Sequence, residues 1–209
     1  MTHDTDNAPA DIAWMRRLAE EGSQAPMQGG SILMTAGLSY GVASIVHWLG
    51  ATGRMAGFEQ WVNYVWFAAT GVFFVGLFAS IARMKRTAGA RTAGNRASGT
   101  AWSALGWGIF ALFASLAIIG YRADGQTALV LLTLAPSVIM VFYGIGWAVS
   151  GAMHRDRTMW GLSAASFVAA PVLALLAGSP TQYIGYAAAL IALMALPGYT
   201  FMRRAGRAA

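Results

Sequence analysis

Hydrophobic and polar positions segregate along this chain instead of alternating. Six stretches, 31–50, 61–82, 101–121, 127–150, 159–177 and 183–202, contain no Asp, Glu, Lys or Arg, and all 14 basic and 8 acidic residues fall outside them. About 20 apolar residues are what a helix needs to cross the hydrocarbon core. A charge at the centre of such a helix costs about 2.5–3.5 kcal/mol on insertion scales. Barrel strands would read as alternating segments of about 10 residues, and these runs are longer and uniformly apolar. The pattern predicts an all-α, polytopic membrane protein of six transmembrane helices. Short connections predict three antiparallel hairpins, pairing helices 1–2, 3–4 and 5–6.

Composition fits that class. The chain is 57% hydrophobic and 11% charged, against about 25% charged in an ordinary soluble domain. Cysteine is absent, which excludes disulfides, zinc thiolates and iron–sulfur clusters within the chain. Arg outnumbers Lys, and Ala and Gly are abundant. That usage suits a high-GC bacterial genome and makes the bacterial inner membrane the expected location. The first apolar run follows a charged leader and lacks the short basic n-region of a cleaved signal peptide.

The net charge of +6 changes the picture only through where it lies. Arg16 and Arg17, then Arg83, Lys85, Arg86, Arg91 and Arg96, then Arg155 and Arg157, then Arg203, Arg204 and Arg207 fall on one side of the predicted spans. Only Arg54 and Arg122 fall on the other. Positive residues stay cytoplasmic, so both termini are expected inside. The basic residues then touch anionic lipid headgroups at the cytoplasmic face and do not point to nucleic acid. Trp48, Trp61, Tyr121 and Tyr183 at outer span ends, and Trp102 and Trp160 at inner ends, fit the headgroup level.

Three regions follow. Residues 1–29 form a cytoplasmic leader, 30–202 the transmembrane domain, and 203–209 a basic tail. Within the leader, 11–22 reads as a short amphipathic helix, with Asp11 as N-cap and Gly22 as stop. It would lie on the inner leaflet or pack on the protein's own loops. "SQAPMQGG" reads as a flexible joint, and "ARMKRTAGARTAGNRASGTAW" as a flexible basic loop. A Met-basic-basic pattern recurs at Met15, Met84, Met153 and Met202, either a trace of duplicated hairpins or the common anchoring of cytoplasmic helix ends. The stretch "DIAWMRRLAEEGSQAPMQGG" leading into an apolar helix resembles uncharacterised alphaproteobacterial six-span inner-membrane proteins over about residues 11–40. The resemblance implies a location and carries no site residue.

Candidate chemistry is sparse. "GLSYG" (37–41) has the G-x-S-x-G spacing of a nucleophile elbow, but that elbow joins a strand to a helix. Ser39 and His47 share one helix, about 12 Å apart along its axis, far beyond hydrogen-bond reach. Read instead as small residues, Gly37, Gly41 and Ser44 form a helix-packing face, against a helix of the same chain or a second copy. "GWGIFA" (106–111) imitates a dinucleotide fingerprint without the strand it needs. His47, beside Trp48, reads as an outer-interface residue whose ring nitrogens meet water, with a ligand or proton-relay role as the alternative. Pro136, Pro171 and Pro197 interrupt helices 4, 5 and 6. With Tyr143 and Trp147 they are the candidate lining of a substrate cavity.

No catalytic, cofactor-binding or metal site is expected, and no cofactor. The role expected is a non-catalytic membrane component, self-associating or accessory to a membrane complex. The alternative is a small permease or exporter for an uncharged hydrophobic or aromatic compound. An enzyme acting on lipid would have only His154, Asp156, Glu20 and Glu21 to work with. Fusions of a periplasm-dependent phosphatase and of a cytoplasm-dependent fluorophore to the C-terminus check the orientation. Fluorescence without phosphatase activity is the expected outcome.

Overall fold

The computed structural model describes residues 12–14, 27–86, 92–123 and 125–207, and no strand occurs among them. Seven helices follow in order: α1 (Gly30–Ala51), α2 (Tyr64–Arg86), α3 (Ala93–Arg122), α4 (Gly125–His154), α5 (Arg157–Leu175), α6 (Thr181–Leu190) and α7 (Leu196–Arg207). A one-turn π segment, Ile191–Ala195, joins α6 to α7 without a break, so the two cross as one span. Six helices are therefore long and apolar enough to cross a membrane. The chain is an integral, multi-pass membrane protein.

Its outward surface has the chemistry of lipid. Phe67, Val75 and Phe78 on α2, Trp107 and Phe110 on α3, and Val168 and Leu175 on α5 are exposed. In water such a continuous apolar surface would drive aggregation; in hydrocarbon it has no such penalty.

Local sequence sets the helix ends. Gly53, at φ +70, follows α1 in the left-handed region that favours glycine. Its N–H donates to the Gly50 carbonyl and the Arg54 N–H to the Leu49 carbonyl, the paired bonds of a Schellman stop. The Arg54 guanidinium then lies 4.3 Å from the Trp48 ring centroid. Thr92 caps α3 by accepting from the Asn95 N–H, and Asp156 caps α5 by accepting from the Thr158 N–H at 2.7 Å.

Two differences from the sequence reading concern the loops. α3 starts at Ala93, inside the stretch expected to be flexible, because Thr92 supplies a cap and the helix runs on without a break into the apolar stretch 101–121. The end of the expected joint is pinned as well: Met27 is buried in the core and the Gln28 N–H donates to Asn95 Oδ1. Of the expected leader helix, Ile12–Trp14 are helical, and the rest lies outside the described residues.

The helices form two groups of three. α1 packs between α2 and the α6–α7 span, and α4 packs between α3 and α5. α5 and α6 touch, but each has its principal partner elsewhere. The third expected hairpin is thus opened, and its two arms belong to different groups. The groups meet at a core where Met140, Tyr143 and Trp147 of α4, with Met159 and Leu173 of α5, contact Tyr186, Leu190, Met194 and Phe201 of the last span.

Small residues set these distances. A Cβ on Gly37 would fall 2.5 Å from the Ala195 nitrogen, and one on Gly198 2.5 Å from the Met34 nitrogen. α1 and the last span are in backbone contact, as small-residue faces allow. In the other group, aromatic rings fill the glycine notches: Phe167 lies over Gly144, and Trp102 over Gly146. Gly106, by contrast, has nothing within 4 Å of a Cβ. Gly37→Val or Gly198→Val should therefore destabilise the bundle by about 1–3 kcal/mol or more, as overpacking does. Gly106→Ala should leave it unchanged. Heat-induced loss of the monodisperse peak in detergent measures both.

Candidate functional site

Proline has no N–H, so each proline inside a helix frees the carbonyl four residues before it. In hydrocarbon no water replaces the lost donor. Pro197 frees the Leu193 carbonyl, and the Trp147 indole N–H donates to that oxygen at 3.1 Å. Trp147 comes from α4 and is 0% exposed. The adjacent π segment carries a bond from the Leu196 N–H to the Ile191 carbonyl, the wider spacing that π turns show at irregular points. A proline-disturbed turn in one helix is thus closed by a side chain from another, across the junction of the two groups.

The first turn of α6 makes a second junction. Gln182 is buried, and its Nε2 donates to the Thr133 carbonyl of α4 at 2.7 Å and to the Leu173 carbonyl of α5 at 3.1 Å. Thr133 lies in the turn before Pro136, and Leu173 is near the end of α5, where its carbonyl also accepts from the Leu176 N–H at 3.2 Å. One amide serves both. The next residue turns to the other group: the Tyr183 carbonyl accepts from Ser44 Oγ of α1 at 2.7 Å, and the Tyr183 ring stacks on His47 with centroids 3.9 Å apart. His47 Nδ1 accepts from the Trp66 indole N–H of α2 at 2.9 Å. Gln182 and Tyr183 together tie α6 to α1, α4 and α5, and through His47 to α2.

Further bonds fasten each group. Ser163 Oγ donates to the Gly144 carbonyl at 2.8 Å, the Trp102 indole N–H to Ser150 Oγ at 3.0 Å, and the Tyr40 hydroxyl to Thr70 Oγ1 at 3.3 Å.

The residues singled out in the sequence are placed as follows. Gly37 and Gly41 face Ala195 and Ile191 of the last span, and Ser44 bonds Tyr183, so this face is occupied within the chain. Pro136 is half-buried, Tyr143, Trp147 and Pro197 are buried, and Pro171 is exposed on the outside of α5. These five do not border one space. Trp147 and Pro197 do come together, through the Leu193 carbonyl, as a fastening. His47 is 8% exposed and does not reach the water expected at both its nitrogens, because α6 lies over it and Trp66 occupies Nδ1. Ser39 sits in continuous helix, which rules out an elbow.

Asp156 caps α5 with one oxygen, and its other is 3.8 Å from Arg204. Glu20 and Glu21 lie outside the described residues, and no group of three metal-ligand side chains occurs among the described ones.

Sequence reasoning missed Gln182, Trp66 and Gly198. Gln182 falls one residue before the charge-free run 183–202, outside the predicted spans. Trp66 lies in the first turn of α2, near the interface that tryptophans favour, and Gly198 follows Pro197, so neither stands out as a bundle contact.

No protein family, curated protein or solved structure matches the chain. The geometry alone must carry the functional argument.

The Trp147–Leu193 bond gives a reciprocal prediction. Trp147→Phe leaves a buried carbonyl without its donor, worth about 1–3 kcal/mol. Pro197→Ala restores a backbone N–H four residues from Leu193. Chemical denaturation of the two variants and their combination should show the double variant less destabilised than the two single effects summed.

Proposed function

We propose that this membrane protein is a non-catalytic component of the bacterial inner membrane, with both termini cytoplasmic, working through its outer surface in a membrane complex. The observation that carries this reading is the filled centre of the bundle. Trp147, Met140, Met159, Leu190 and Met194 meet there with at most 2% exposure each. A permease needs a path at the midplane, usually lined by polar or ionisable groups. Ser44, Trp102, Trp147, Ser163 and Gln182 are engaged instead in bonds that join helices, while Ser166 bonds its own helix and Ser137 Oγ has no partner among the described residues.

The surface for a partner is best supplied by α2 and α3, which lie at opposite ends of the helix order and each pack mainly on one neighbour. Their exposed aromatic residues, Phe67, Phe74 and Phe78 on one and Trp107, Phe110 and Phe113 on the other, are spaced to share a helix face. Aromatic side chains are enriched where proteins meet.

Native mass spectrometry after mild-detergent extraction tests the reading. The expected result is a stoichiometric complex that is lost in Phe67→Ala/Phe74→Ala or Trp107→Ala/Phe110→Ala, with thermal stability unchanged. Proteoliposomes should pass an uncharged aromatic solute no faster than empty liposomes. Saturable flux would instead establish the permease.

A further inference from the structure

His47 is the one histidine within the six charge-free runs, and its surroundings fix its protonation state. An indole N–H can only donate. The 2.9 Å bond from Trp66 Nε1 therefore requires a lone pair on His47 Nδ1, and the ring is the neutral Nε2–H tautomer. A proton added to the ring goes to Nδ1, the remaining basic nitrogen, and ends that bond, because two donors then face each other. The stack on Tyr183, at 3.9 Å and 31°, responds in the opposite sense. An aromatic face attracts a cation.

We propose that His47 is a proton-binding site whose occupation releases α2 from α1 while leaving α1 attached to α6. The step is a single proton transfer onto Nδ1, with the Trp66 N–H left to find water or lipid.

The surrounding residues make the response local. On α6 the titratable groups near His47 are the hydroxyls of Tyr183 and, one turn further in, Tyr186. On α1 there is Tyr40, two turns away, bonded to Thr70. On α2, Trp66 is not titratable. The loop from α1 to α2 carries Arg54, stacked on Trp48, and Glu59 in the 3₁₀ turn Glu59–Trp61. Histidine is the member of this set that ordinarily changes charge between about pH 5 and 8.

α2 is also loosely held. It packs principally on α1, where its contacts and those of the turn before it include Val62 at Gly50, Trp66 to His47, Thr70 and Phe73 to Tyr40, and Gly76 against Thr35. They succeed one another down the chain, so losing the Trp66 bond leaves the end that follows the loop to Val62 alone while the contacts below it act as a hinge. The Ser44–Tyr183 bond does not involve the imidazole and keeps α1 on α6. The inference rests on the packing alone and not on the accessory role proposed above.

The absence of cysteine permits paired spin labels without background. Labels at Ala51→Cys and Phe67→Cys, both exposed, report the α1–α2 separation in lipid nanodiscs. Between about pH 8 and about pH 4, which spans the ordinary imidazole range, the wild-type background should shift to longer and broader distances. His47→Gln, whose amide oxygen accepts from Trp66 but does not titrate, should stay at the neutral-pH distribution throughout. Trp66→Phe should be broad at every pH. Nitrogen-15 spectra of the unsubstituted protein need no folded variant: the Trp66 indole N–H resonance should move in step with protonation of His47 Nδ1. An unchanged distance distribution across the range, a His47→Gln response equal to wild type, or a His47 ring that does not titrate overturns the proposal.

Discussion

Hydrocarbon offers no hydrogen bonds. A backbone carbonyl that loses its helical donor within the membrane must find another inside the protein. The carbonyl freed by Pro197 in the last span is taken by Trp147 of α4. Gln182 of the last span reaches back to the Thr133 carbonyl of α4. In both cases the donor comes from the other group. Each bond of this kind contributes modestly, about 0.6 kcal/mol on average in a membrane. Its specificity matters more than its strength, since an indole or an amide aimed at one carbonyl fixes the rotation and depth of two helices together.

Close packing supplies the rest. Apolar side chains gain nothing by leaving lipid for the interior, so contact must come from shape. Glycine provides it in two ways. Along α1 and the last span, Gly30, Gly37 and Gly198 bring backbones together. In α4, Gly144 and Gly146 receive rings from α5 and α3. The first arrangement fixes distance, and the second fixes which ring lies where. Trp147 and four methionine or leucine side chains close the centre. The bundle's unpartnered variety lies outward, on α2 and α3.

Much of this was legible in the sequence, for a physical reason. Charge exclusion acts on each span independently, so the six crossings could be read one at a time. The stripe Gly37, Gly41, Ser44 was legible too, because helical spacing is local. What it faces was not, since that depends on a span 150 residues away in the chain. The same limit explains His47. Its own helix places it near an interface, and only α6, folding back over it, removes the water. Gln182 was lost through a boundary effect: a polar residue beside an apolar run looks wet unless the neighbouring carbonyls are known. Pro136 and Pro171 sit inside helices that run on unbroken, and Pro197 follows a π turn; a freed carbonyl can line a cavity or bind a neighbour, and the sequence does not distinguish these.

The central claim, that a side chain of the facing helix group takes the carbonyl that Pro197 frees, has a direct spectroscopic signature. Proton-detected solid-state NMR of the protein in lipid bilayers can correlate the Trp147 indole proton with its acceptor. A cross-peak to the Leu193 carbonyl carbon is the result this account predicts. A correlation of that proton to water or lipid, with none to Leu193, would contradict it.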